Sequence, residues 1–343
     1  MPNSSREAVL RLLAGEQVDY VPNFSGMGSI TLYGLKHLGY RFNEVHVDAR
    51  KMADAAASTC RLFGFESAVV PFDMGVEAEA LGATVKYYEK EDDQIIYPVI
   101  SGKLADTVDA LSIDIPNDLA NAGRLPVVTE AIRLLKAELG DEVAVGSWVL
   151  GPFTEMGQIM DLENLLKMSL KKGKLVNALL SDMVGYLAQV VDLYIQAGAD
   201  FITVREMGAT SDILSPRMFK KLVLPHLQDI FGRITAVPTV LHICGNTNPI
   251  VEMMAQSGAS AISVDQKNDL ARTRELLKGV VLLGNYNPYG VLCEGTLDGV
   301  GETIKKVIAE GVDAVWPGCD IWPTVPPENM EAMMKATREY GSR

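Results

Sequence analysis

Hydrophobic positions along the chain alternate between two modes: short unbroken apolar runs and longer stretches with a 3.6-residue period. The runs fall at 20–24, 67–72, 143–150, 201–204, 238–243, 259–264, 280–283 and 313–316. Runs of that length read as strands buried on both faces. Between them, amphipathic stretches at 48–62, 129–139, 178–197, 216–231, 248–257, 271–278, 297–310 and 326–340 read as helices. Gly64 and Gly198 stand where two helices should end in a left-handed residue, and Pro326 and Pro327 stand where the last helix begins. The segment up to Leu13, with Arg6 and Arg11, is helical in pattern too.

Strands alternating with helices predict an α/β chain folded as a single (β/α)8 TIM barrel over 1–343, N-terminal helical segment included. Residues 83–100 alternate as a β-hairpin around Lys90–Asp93, inserted between the second and third strands. A doubly wound open sheet is the competing fold. It would want a glycine-rich phosphate turn after an early strand, and Ser25–Gly26–Met27–Gly28 lacks the GxGxxG spacing.

Composition narrows the function classes. Hydrophobic residues make up 48% and charged residues 22% of 343, an ordinary soluble mixture. A net charge of -13 argues against nucleic acid and anionic membrane as partners. No apolar run approaches the roughly 18 residues of a spanning helix, and the N-terminus has no signal-peptide core, so a cytoplasmic location is expected. Cys60, Cys244, Cys293 and Cys319 form no disulfide framework, which leaves packing, metal ligation or nucleophilic roles.

In a barrel the reacting groups lie where strands run into their following loops. Those positions are Ser25, Asp73, Gly151, Glu206, His242 with Cys244, Asp265, Asn285 and Cys319. Residues two apart on a strand face the same way, so His242 and Cys244 can both face the mouth. Barrel closure would bring Cys319 to them. One imidazole and two thiolates suit zinc with a fourth position open. Equally, the cysteines read as small buried hydrophobes and His242 as a hydrogen-bonded core histidine, because H-x-C without a nearby second pair is not a specific zinc signature.

Asp265 is the candidate for a fourth, displaceable ligand or for an acceptor behind the site. Glu206 and Asp73 are candidates to orient substrate or carry a proton, or else to cap a helix. Met27, Met74 and Met156, with Asn285 and Tyr286, are candidates to line a substrate chamber. Cys60, Cys293, His37, His46 and His226 read as packing or surface residues.

The segment Leu241–His242–Ile243–Cys244–Gly245–Asn246–Thr247 resembles the H-x-C segment of the cobalamin-dependent methyltransferases related to uroporphyrinogen decarboxylase. Cys319, in Pro317–Gly318–Cys319–Asp320–Ile321, resembles their third zinc ligand. Supporting likenesses are Gly151–Pro152–Phe153–Thr154, Ala197–Gly198–Ala199–Asp200, Leu283–Gly284–Asn285 and Pro71–Phe72–Asp73–Met74. The resemblance runs along nearly the whole chain. It implies a (β/α)8 barrel with zinc on His242, Cys244 and Cys319, and methyl transfer to or from corrinoid cobalt. In the thiol-methylating branch zinc holds a thiolate acceptor; in the demethylating branch it polarises an ether oxygen.

Two departures sharpen this. The decarboxylases carry arginines in the first strand-end loop, whereas 23–29 here has none, so decarboxylation of a polycarboxylate is not expected. No D-x-H-x-x-G segment is present, so the corrinoid is expected on a separate corrinoid-binding protein docking over the mouth. Coenzyme M would need a cation near the zinc, and alternation sends Arg205 and Glu206 opposite ways, so only one can face the barrel. The methionine- and aromatic-rich mouth favours a methoxylated aromatic, and with it the first methyltransferase of an O-demethylase system. A thiol-methylating enzyme is the alternative. A decarboxylase-like lyase and a non-catalytic tetrapyrrole-binding barrel are the remoter ones.

Overall fold

The computed structural model describes residues 4–88 and 95–343. In chain order the described strands are β1 (Ser67–Val70), β2 (Thr84–Lys86), β3 (Val99–Gly102), β4 (Ala144–Leu150), β5 (Phe201–Arg205), β6 (Thr239–Ile243), β7 (Ala261–Val264), β8 (Val281–Tyr286) and β9 (Ala314–Pro317). Seven of them form one curled parallel sheet in the order β1-β4-β5-β6-β7-β8-β9. The other two, β2 and β3, pair antiparallel as the hairpin expected between the second and third apolar runs. The turn expected at 90–93 lies outside the described residues.

The first apolar run departs from expectation. Residues 20–24 form no regular strand, yet they span the gap between β9 and β1. Asn23 bridges Val315 in parallel, and the Val315 amide donates to the Pro22 carbonyl at 2.9 Å. On the other side the Glu66 amide donates to the Asn23 carbonyl, and Ser67 Oγ donates to the Ser25 carbonyl at 2.7 Å. Pro22 has no N–H to give, and side chains answer the next amides: Glu66 Oε1 accepts from Asn23 at 2.8 Å and Ser67 Oγ from Ser25 at 3.0 Å. Backbone bonds to Val315 on one side and mostly side-chain bonds on the other thus stand in for a regular strand where the barrel closes.

Alternation along the strands sorts two apolar layers. Val69, Ala144, Trp148, Phe201, Val240, Ala261, Leu283, Ala314 and Trp316 fill the barrel interior. Val145, Val149, Ile202, Val204, Leu241, Ile243, Ile262 and Leu282 face the surrounding helices. The helix Ser5–Leu13 buries Val9, Leu12 and Leu13 against the interior cluster, and Arg6 pairs with Asp200 just before β5 at 2.7 Å. It therefore plugs the end where strands begin and leaves the other end for chemistry. Gly26 crosses the interior so closely that a Cβ would sit 1.9 Å from Thr203 Oγ1, so no larger residue fits there.

The helices follow the sequence pattern with one break. The stretch 216–231 does not form one helix: a π-type turn, Phe219–Val223, precedes Leu224–Arg233. Pro225 supplies no amide to the preceding turn, so the backbone widens there. Gly64 and Gly198 do end their helices in the left-handed region, at φ of 76° and 113°. The helix Gly173–Ala197 is long and apolar enough to cross a membrane by length and composition, but it buries Leu180, Val184, Leu187 and Val191 in the layer around the sheet.

Candidate active site at the barrel mouth

Three strand ends converge on one corner of the mouth. His242 faces inward on β6, and its Nε2 lies 3.0 Å from Cys244 Sγ. Cys244 Sγ in turn lies 3.6 Å from Cys319 Sγ, just beyond β9. On the far side of the ring, His242 Nδ1 is 2.9 Å from Ser263 Oγ, an inward residue of β7 in register with it. That bond fixes the ring and leaves Nε2 turned to the thiols. Burial, and then the nearby Arg205, push the imidazolium down to about 3, so His242 is neutral. The two thiols share a hydrogen bond that raises Cys244 and lowers Cys319.

This donor set suits zinc. A tetrahedral ion with bonds of about 2.3 Å to sulfur and about 2.0 Å to nitrogen separates its donors by roughly 3.5–3.8 Å. The sulfur–sulfur distance of 3.6 Å matches, whereas the nitrogen–sulfur distance of 3.0 Å is tighter. Among the described residues no group of three or more histidine, cysteine or carboxylate side chains is already set around one metal-sized point. The three donors are instead joined in pairs through Cys244.

Arg205 settles the choice that alternation left open. Phe201 and Thr203 face the interior, so Arg205 does too, and it stands opposite His242 in the β5–β6 register. Its guanidinium stacks 4.5 Å over the Trp148 ring, and Nη2 donates to Asp320 Oδ2 at 2.5 Å. Only 2% of Arg205 is exposed, and its buried Nε has no partner. Burial opposes the charge, but Asp320 and the cysteines more than offset it, and the pKa rises.

A cavity of about 450 Å³ opens over this corner. Arg205, Cys319 and Asp320 line one wall; Phe72, Met74, Tyr97 and Trp322 supply apolar surface; Lys103 adds a second cation. The Lys103 ammonium donates to the carbonyls of Met160 at 2.7 Å and Gly157 at 3.3 Å.

The predicted carboxylates do not join the sulfur corner. Asp73 lines the cavity, but Arg124 grips both of its oxygens, at 2.7 and 2.8 Å, and His46 Nδ1 lies 3.2 Å away. Burial works against its charge, yet Arg124 and His46 outweigh it and hold the carboxyl well below its usual range. Asp73 is thus a fixed anion rather than a proton carrier. Neither Arg124 nor the buried His46 was expected here; His46 had read as a packing or surface residue.

Glu206 faces the helix layer and accepts from the amides of Phe153 at 3.0 Å and Thr154 at 2.7 Å, at the start of Pro152–Ile159. Burial pushes its pKa up to about 7 despite those bonds. Gly151 has no side chain because a Cβ would meet Glu206 Oε2 at 2.4 Å. Asp265 Oδ1 accepts from the Lys267 amide at 2.8 Å, a local turn bond.

Of the expected chamber residues, only Met74 lines the cavity. Met27 is buried in the barrel interior and Met156 in the outer layer. Tyr286 packs with Phe63 and Phe65, and Asn285 Nδ2 donates to the carbonyls of Asp265 and Asn268. Alternation turns Tyr286 outward, whereas Asn285 shares the inward face of Leu283 but spends its amide on those two carbonyls and lines no part of the cavity.

Residues 4–340 match the uroporphyrinogen decarboxylase (URO-D) family. The chain is 29% identical over 338 residues, 98% of each chain, to the methylcobamide:CoM methyltransferase MtbA of Methanosarcina acetivorans. It is 30% identical over 338 residues, 97% of each chain, to the methylcobamide:CoM methyltransferase MtaA of Methanosarcina barkeri. A solved structure of a methyltransferase from Methanosarcina mazei matches with a TM-score of 0.92 at 28% identity, covering 98% of this chain and 99% of that one.

Proposed function

The chain belongs to the uroporphyrinogen decarboxylase (URO-D) family, and from that premise we propose that it is a zinc-dependent methyltransferase. It moves a methyl group from corrinoid cobalt, carried on a separate protein docked over the mouth, to a small anionic thiol of the coenzyme M type. The observation that carries this reading is Arg205, a buried guanidinium on the same cavity wall as Cys319. The similarity to methylcobamide:CoM methyltransferases supports it. The methoxylated-aromatic substrate expected from the sequence has less support: of the methionines and tyrosine that argued for it only Met74 lines the cavity, and the similarity is to methylcobamide:CoM methyltransferases.

His242, Cys244 and Cys319 would hold the zinc, which supplies a Lewis acid that favours the thiolate form of an incoming thiol near neutral pH. Ser263 keeps the His242 ring turned so that Nε2 is the donor. Arg205 lines the cavity, and its bond to the half-exposed Asp320 is the one that a substrate's acid group would compete with. Lys103 uses two carbonyl acceptors, which leaves one of three ammonium protons for the cavity. Phe72, Met74 and Trp322 cover the short carbon chain between thiol and acid.

The reaction balances without a redox partner. The sulfur–carbon bond forms, the cobalt–carbon pair of electrons stays on cobalt as cobalt(I), and the thiol proton is lost.

The test is anaerobic turnover of methyl-cobalt(III) corrinoid with zinc-loaded protein, followed by its absorption. Consumption with a sulfonate-bearing thiol, slower with a neutral thiol of equal length and lost in Cys319→Ala, is the expected result. Methylation of cobalt(I) by methoxylated phenols with no thiol reaction would overturn it in favour of O-demethylation.

A further inference from the structure

Two buried acids have no part in the site described so far. Glu77 lies in the first turn of the short helix Val76–Ala80, and Glu155 in the first turn of Pro152–Ile159. Both helices flank the cavity, since Gly75 on one side and Gly157 and Gln158 on the other line it. Neither glutamate is exposed at all, and their four carboxyl oxygens meet no hydrogen-bond donor from any other residue. The hydroxyl of Tyr194, buried nearby on Gly173–Ala197, is also unpartnered.

Buried carboxylate oxygens without donors are not tenable as anions, and such groups take up protons instead. The surroundings agree. Burial dominates and raises Glu77; its own amide opposes that, Asp73 adds to it, and Arg124 and Arg205 act in favour of the charge. Glu155 is faced by Glu77 and Glu206 and is raised further, first by burial and then by those two charges. Tyr186 and Tyr194 face the pair from the long helix, and Tyr186 spends its hydroxyl on the Glu77 carbonyl at 2.7 Å. Glu79, on the helix of Glu77, is engaged by Arg124 at 2.7 Å. The helices that carry the two acids flank the same cavity that Arg205 lines, which sets this acid layer behind the anion-binding wall.

We propose that Glu77 and Glu155 form a proton-linked gate for the anionic substrate: as neutral acids they leave the field of Arg205 to the substrate, and once ionised they cancel it. The gate rests on the anionic-thiol reading. By linkage, an anion that binds better to the protonated pair binds with proton uptake, and its affinity falls as pH rises through the titration of the pair.

The experiment uses ethanesulfonate, which has the acid group but no thiol, so thiol ionisation cannot contribute. Its binding to the zinc-loaded protein is measured by calorimetry in buffers of different ionisation enthalpy, from about pH 6 to about pH 9. Wild type should take up protons on binding and weaken by up to about tenfold per pH unit per linked proton at the alkaline end. Glu77→Gln with Glu155→Gln, a permanent neutral mimic, should show neither. Infrared spectra of the ligand-free protein should show a protonated-carboxyl band that the double variant loses.

Equal pH slopes in the two proteins, or no difference in that band, would overturn the gate while leaving the methyltransferase reading intact. If ethanesulfonate fails to bind although the band is present, the anionic-substrate reading falls and takes the gate with it.

Discussion

On one side of the mouth, His242, Cys244, Cys319 and Arg205 project from strand ends and touch one another or a neighbour at 2.5–3.6 Å. Behind the cavity wall, Glu77, Glu155 and Glu206 sit against the helix layer, and two of the three meet no donor from another residue. Both sets are buried and polar, but they are held differently. The sulfur corner is ordered by its own contacts and by Ser263, so it has a defined geometry and open valences. In the acid layer Glu206 is anchored by the amides of Phe153 and Thr154, whereas Glu77 and Glu155 are held by packing, so burial falls on their protonation state.

The comparison breaks most visibly at the metal. Cys244→Ala should lose bound zinc, measured by elemental analysis, and drop methyl transfer by about 10³-fold or more, since several kcal/mol of charge stabilisation go with the metal. Full zinc with normal turnover would mean that the sulfur corner is only packing. Arg205→Met should raise the KM for a sulfonate-bearing thiol by roughly 10–100-fold, the loss of a charged hydrogen bond of about 1.5–3 kcal/mol. The KM for a neutral thiol should barely move, and equal losses for both thiols would assign Arg205 to folding.

Smaller effects separate support from ligation. Ser263→Ala should weaken zinc by about 10–100-fold in a chelator competition while the fold, read by circular dichroism, stays intact.

The acid layer is tested by stability. Glu77 is raised to about 8 in the folded protein, above the ordinary carboxylate range of the unfolded chain. Its contribution is therefore complete at acid pH and is lost as pH rises toward about 8. Wild-type Tm should fall across that window, and Glu77→Gln should flatten the decline by a few degrees. A steeper fall in the variant would show that Glu77 is ionised and paired.

The sulfur corner was legible because strand geometry and metal chemistry both act locally. H-x-C on an apolar run puts two donors on one face whatever the rest of the chain does, and the resemblance supplied Cys319. The direction of Arg205 was decided by parity, once Phe201 faces inward, yet parity needs a known starting face that the run itself does not reveal. Asp73 and Arg124 lie 51 positions apart and carry no shared spacing signal. Glu155, in a first helical turn, reads as an ordinary favourable dipole contact; nothing nearby says that it is fully buried.

Periodicity and strand-end chemistry, both one-dimensional, thus determined the alternating α/β architecture, the strand-end positions and the residue types of the sulfur corner. Which side chains share the cavity, which carboxylate meets an arginine and which is left alone were decided only when the sheet curled and segment 20–25 spanned the gap between β9 and β1. Coulomb and desolvation energies depend on distance and burial in space, and neither is written in the spacing of residues along a chain.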